Sequence, residues 1–162
     1  MSHWNLQVPK SNNAKSLAKW ATDCINDGIP REIISHALLS QDPQSLSLHQ
    51  LEARSQVQHS VIQVMVDRNL RGIEFEKGGD VEEAISLYES NVADWFSGNH
   101  PYDRLRVIYT RQGQILDAIR VCESFVKVAD ELISLGSRRG DLVPKRDRFL
   151  DYARKLRAKL SD

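Results

Sequence analysis

Phe75-Glu76-Lys77-Gly78-Gly79-Asp80-Val81-Glu82-Glu83-Ala84-Ile85-Ser86-Leu87-Tyr88-Glu89 returns 34 residues later as Tyr109-Thr110-Arg111-Gln112-Gly113-Gln114-Ile115-Leu116-Asp117-Ala118-Ile119-Arg120-Val121-Cys122-Glu123. Phe75 falls on Tyr109, Lys77 on Arg111, Gly79 on Gly113, Val81 on Ile115, Ala84 on Ala118, Ile85 on Ile119 and Glu89 on Glu123. In each copy a glycine interrupts apolar residues spaced three and four apart, which reads as the turn of a helical hairpin. One such hairpin cannot bury its own apolar face, so a fixed period of this length points to units that stack on one another.

The helical period continues outward in both directions, and no segment shows sustained period-two alternation. Asn12 or Asn13 is expected to cap a helix to about Asn26, with Leu17, Ala21, Cys24 and Ile25 on one face, Trp20 at its edge and Asp27-Gly28 as its stop. Pro30 opens a short helix carrying Ile33, Ile34, Ala37 and Leu38, which Asp42-Pro43 ends or interrupts. From about Gln44 to Lys77 there is no proline and Gly72 is the only glycine, so one long helix or two nearly continuous ones follow. Its expected apolar stripe is Leu51, Val57, Val61, Ile62, Met65, Val66, Leu70 and Ile73. Gly78-Gly79 stops it and Asp80 is the expected cap of a helix to about Trp95. Helices over about Pro101 to Arg111 and Ile115 to Leu135 meet at Gly113, and Pro144 opens a last helix bearing Phe149, Tyr152, Ala153, Leu156 and Leu160. The fold class is all-α, in a single domain over residues 1–162.

The 34-residue unit resembles the tetratricopeptide repeat. Gly72, Phe75, Gly79, Ala84 and Tyr88 match the family's Gly, Tyr, turn Gly, Ala and Phe, and Tyr102, Leu105, Tyr109, Gly113, Ala118 and Phe125 agree in the second unit. Arg68 and Arg71 stand where the family has Trp and Leu, Arg106 replaces the Gly, Cys122 replaces the larger aromatic, and the Pro at the repeat end is absent from both. The resemblance covers about Met65 to Asp130 and implies a short right-handed α-solenoid. Residues 65–135 would form two units, 11–64 a degenerate repeat or cap, and 144–160 a basic capping helix. It also implies a concave groove, lined by the first helix of each hairpin, that holds an extended peptide or a partner helix. On this chain that face is Asn69, Ile73, Glu76 and Lys77 with Asp103, Val107, Thr110 and Arg111, and Arg104 in or beside it. The Lys and Asn pattern by which some relatives clamp a C-terminal carboxylate is missing.

Composition and charge delimit the remaining functions. With 41% hydrophobic and 27% charged residues the chain is ordinary globular material, and 22 basic against 22 acidic side chains give no overall attraction to nucleic acid or anionic lipid. The charge is uneven, however: residues 1–97 carry a net −5 and 98–162 a net +5. Arg138 and Arg139 in the turn before the terminal helix, with Lys145, Arg146, Arg148, Lys155, Arg157 and Lys159 on it, are candidate phosphate contacts; the helix reads equally as a solvated cap or a surface for a second copy. The corner Asp27-Gly28-Ile29-Pro30 has the look of a helix-turn-helix turn, but Arg31 and His36 alone make a poor reading helix.

No constellation suggests catalysis or a metal. The histidines His3, His36, His49, His59 and His100 form no His-Glu-x-x-His, phosphate-loop and nucleophile-elbow spacings are missing, and Glu76 is expected to be solvated. Cys24 and Cys122 lie on apolar stripes as core residues without a zinc or redox spacing. No export signal or membrane span is seen, so a cytoplasmic location is expected. The expectation is a non-catalytic adaptor or scaffold without cofactor, binding another protein or peptide. A nucleic-acid-associated regulator and a homo-oligomeric assembly module are the alternatives.

Overall fold

A computed structural model describes residues 4–39 and 43–162, so His3 and the Asp42 helix break lie outside the described residues. Among the described residues there are seven α-helices, one short 3-10 turn at Pro43–Ser45 and no strand: α1 (Ala14–Asn26), α2 (Arg31–Leu39), α3 (Leu48–Lys77), α4 (Val81–Ala93), α5 (His100–Arg111), α6 (Ile115–Ser134) and α7 (Leu142–Ser161). The chain is all-α. It divides into two compact units, one of residues up to Asp67 and one of Arg68–Asp162, and α3 supplies residues to each.

In the first unit Asn13 caps α1, its Oδ1 accepting from the amides of Lys15 and Ser16 at 2.9 and 3.4 Å. Gly28 ends that helix at φ 86°, where its amide donates to Ile25 O and that of Ile29 to Cys24 O, the two-bond helix stop that a left-handed residue makes accessible. Ser47 and Gln50 cap α3 reciprocally: Ser47 N donates to Gln50 Oε1 at 2.8 Å, and Gln50 N to Ser47 Oγ at 3.2 Å. Leu17, Ala21, Cys24, Ile34, Leu38, Ala53, Val57 and Val61 form the core, and Gln58 Nε2 donates to Ser35 Oγ beside it. Arg54 is buried there too, at 1% exposure, and none of its three guanidinium nitrogens has a hydrogen-bond partner among the described residues.

The second unit repeats its turns at the sequence period. Asp80 N donates to Phe75 O and Gln114 N to Tyr109 O, while Gly79 and Gly113 take φ of 87° and 75°. Asp80 makes no side-chain cap, contrary to expectation: α4 is entered through the backbone bond from Ala84 N to Asp80 O. Gly72 faces Tyr88, whose Cε1 would lie 2.5 Å from a Cβ at that position, so the glycine admits the ring. At the corresponding positions of the next hairpin stand Arg106 and Cys122, large and small exchanged. Tyr102, Phe125, Phe149 and Tyr152 form a chain of ring contacts across α5, α6 and α7, with centroids 5.2, 4.6 and 5.4 Å apart, at the centre of this unit's core.

Several expectations need correcting. α7 begins at Leu142 rather than Pro144, and α3 at Leu48 rather than near Gln44. Leu70, placed on the apolar stripe, is 56% exposed because it stands off the line of Val57, Val61, Met65 and Gly72; Leu160 is exposed at the end of α7. Arg68, which stands where the family has Trp, is an ion-pair partner and not an apolar contact. Its Nη1 pairs with Asp94 Oδ2 at 2.5 Å, giving the guanidinium a polar partner on the helix packed against it.

Candidate functional site

The first two turns of α5 bring His100 and Arg104 beside the last two turns of α3. There Ile73, Glu76, Lys77, His100 and Arg104 line an open cleft of about 360 Å³. Glu76, expected in solvent, is instead the centre of a part-buried network. Arg104 donates from Nε to both carboxylate oxygens at 3.1 Å, and its Nη2 pairs with Oε2. The buried Tyr88 hydroxyl donates to Oε1 at 3.0 Å. These donors, Arg104 foremost, hold the Glu76 carboxyl below its ordinary range against the opposing effect of burial. Tyr88 is correspondingly pushed well up by burial and by the carboxylate it faces.

His100 closes the same corner, its ring 5.8 Å from that of Tyr88 in an edge-on contact and its Nδ1 2.9 Å from Asn69 Oδ1. Burial, then Arg104, lower its pKa, which favours the neutral ring. A carboxylate held by a guanidinium and a phenol is a weak proton acceptor. The cleft therefore presents a paired carboxylate and guanidinium beside an apolar side chain, Ile73.

A second cleft, of about 290 Å³, lies between α5 and α7 and is lined by Arg106, Thr110, Tyr152, Lys155, Leu156 and Lys159. The two clefts flank one half-buried stripe of α5. Helical spacing of 100° per residue puts Arg104 on one side of that stripe and Arg106 and Thr110 on the other, with Val107 between. Of the expected groove residues, Ile73, Glu76, Lys77 and Arg104 share the first cleft, Asn69 supports it through His100, and Thr110 belongs to the second. Asp103 pairs with Arg106 at 2.7 Å, and Arg111 is exposed without an ion pair among the described residues.

The basic residues of the C-terminal part are mostly engaged. Arg139 and Lys145 both pair with Asp141, at 2.8 and 2.9 Å, and hold its carboxyl well below the usual range. Arg139 also donates to Ser97 Oγ at 2.7 Å, tying the α6–α7 turn to the loop before α5. Arg146 pairs with Asp130 and Asp147, Arg157 with Glu123, and Lys155 with Asp151. Among the described residues Arg138, Arg148 and Lys159 make no ion pair.

Sequence reasoning singled out neither His100, noted only among histidines without a metal-ligand spacing, nor the phenol of Tyr88, matched only to the family's Phe. A signal for the second was available: a tyrosine whose ring is buried still needs a partner for its hydroxyl. Among the described residues no three or more His, Cys, Asp and Glu side chains converge as a metal site, and no helix is long and apolar enough to cross a membrane. No protein-family model, curated protein or solved structure matches this chain.

Proposed function

We propose that the chain is a tetratricopeptide-like helical-repeat adaptor that captures an extended segment of another protein along α3, α5 and α7, without catalysis. The observation carrying this reading is the cleft of Ile73, Glu76, Lys77, His100 and Arg104, where four of the residues that the tetratricopeptide resemblance implies for the groove, Ile73, Glu76, Lys77 and Arg104, fall together in one concavity. Its polar groups are already paired and oriented, which lowers the entropic cost of binding a partner. Ile73 offers an apolar contact, while Lys77 and the Glu76–Arg104 pair set register at the rim. The equivalent turns around Gly79 and Gly113 also support a stacked repeat.

The test is affinity capture with the full chain from nuclease-treated lysate, comparing wild type with I73D/K77E, in which both changes fall in the cleft and outside the buried core. A discrete protein retained by wild type and lost by the variant, at equal helicity, is expected. Equal capture by both would remove this groove from the binding surface. Recovery that collapses with nuclease would transfer the function to nucleic acid, and recovery of the bait alone would favour self-assembly.

A further inference from the structure

The cleft between α5 and α7 has a one-sided chemistry. Three of its six lining residues, Arg106, Lys155 and Lys159, are cations, and none is a carboxylate. Arg106 is fixed in place: its guanidinium carbon lies 3.9 Å from the centroid of the Tyr152 ring, and its Nε and Nη2 donate to Asp103 Oδ1 at 3.1 and 2.7 Å. Lys159 is exposed and has no ion pair among the described residues; the pair of Lys155 with Asp151 runs along the same exposed helix, where such contacts are weak. Arg148, two turns before Lys155 on the same side of α7, extends the positive stripe and is likewise exposed without an ion pair among the described residues. Leu156 and the Tyr152 ring supply the apolar part of the wall.

Resting on the peptide-binding reading above, we infer that this cleft takes an acidic segment of the partner protein, whose carboxylates meet Arg106, Lys155 and Lys159 while a neighbouring aliphatic or aromatic side chain covers Leu156. The charge pattern calls for an anion, and the geometry favours a peptide over nucleic acid. One face of Tyr152 is covered by Arg106, which removes it as a platform for stacking bases. Most other cations of α7 are joined to Asp130, Asp141, Asp147 or Glu123 and do not extend the stripe into a phosphate track. From Arg148 to Lys159 the stripe runs about 16 Å, the length of about five residues of extended chain. Arg106 occupies the position held by Gly72 in the preceding hairpin, so this cationic wall belongs to the second hairpin and is not repeated in the first.

A displayed library of random twelve-residue peptides, selected against the full chain, tests this directly. The selected peptides are expected to be rich in Asp and Glu around one large apolar residue. A synthetic copy of the strongest, followed by fluorescence anisotropy, should lose about tenfold in affinity to K155E/K159E and change less than twofold for the charge-matched R138E/R154E, which lies off the cleft. Circular dichroism of both variants should match wild type, since all four positions are exposed. An acidic consensus weakened equally by both variants would overturn the site, leaving only diffuse charge. A neutral or basic consensus abolished by I73D/K77E would overturn the acidic assignment while the groove reading survives, and a library yielding no binder would remove both. Tighter binding of a mixed-sequence single-stranded RNA, sensitive to K155E/K159E, would reassign the cleft to nucleic acid.

Discussion

Replacing Arg54 by methionine should stabilise the protein. The side chain is 1% exposed on the helix that carries Ala53 and Val57 into the core, and its Nε, Nη1 and Nη2 have no acceptor among the described residues. Burial lowers its pKa, yet a guanidinium starts from 12.5 and stays charged at neutral pH. An unmade buried hydrogen bond costs about 1–3 kcal/mol, and even a fully paired buried ion pair is often replaced by apolar residues with a gain of about 1–4 kcal/mol. Methionine keeps most of the apolar stem and its flexibility while deleting the charge, so a net gain of about 2–4 kcal/mol is expected. For a chain of this size that raises the thermal midpoint by roughly 5–15 °C. Calorimetry in a buffer free of phosphate and sulfate gives the direct comparison, with urea unfolding as the second measure. Arg54→Lys serves as control, because it shortens the chain without removing the charge and should give no gain. A midpoint for R54M equal to or below wild type would refute the argument, since it would mean that the guanidinium holds a counter-charge in solution.

Gly72→Ala should lower stability by about 1–3 kcal/mol, because the new Cβ meets a buried tyrosine ring already fixed through its hydroxyl; an unchanged urea midpoint would show that the ring yields freely. Glu76 titrates below its ordinary value of 4.5 in the folded chain, so the unfolded chain binds more protons in that window, and its contribution is complete above 4.5 and lost as pH falls through the depressed value. Glu76→Gln should therefore be less stable at neutral pH and show a shallower acid limb; parallel stability-versus-pH curves would contradict this. Cys122 is fully buried with its thiol pushed up to about 12 by desolvation, and Cys24 is buried as well, so Ellman's reagent at pH 8 should label neither until urea unfolds the chain. A thiol that reacts within the mixing time would disprove that assignment.

What could be read from the sequence was what is decided locally. The cap at Asn13, the stops at Gly28, Gly79 and Gly113, and the buried set Leu17, Ala21 and Cys24 each follow from residues within a turn or two, and the structure places them there. Ser47 and Gln50 carried the start of α3 in plain sight as a Ser-x-x-Gln capping pair, and were passed over for the looser signal near Gln44. Glu76, Arg68 and the basic residues of α7 were misjudged or left open because their meaning lies in partners far along the chain: Arg104 and Tyr88, Asp94, Asp130 and Glu123. Charge alone does not say which acid a base will meet. The site was half legible for the same reason, the family resemblance implying Ile73, Glu76 and Lys77 while the cleft's other wall needed His100, whose role comes from contact with Asn69 and Tyr88.

The exchange of Gly72 and Tyr88 for Arg106 and Cys122 bears on how such a chain can change over time. In the first hairpin the glycine on one helix leaves room for the ring on the other, while in the second the bulk stands on the first helix and reaches Tyr152 of α7; if the two positions share one space, it does not record which helix fills it. Single substitutions at either position are then penalised while matched ones are tolerated, so in homologues these sites should drift as a coupled pair, one gaining atoms as the other sheds them. A column-by-column comparison would score both as variable; only their joint variation would carry the constraint.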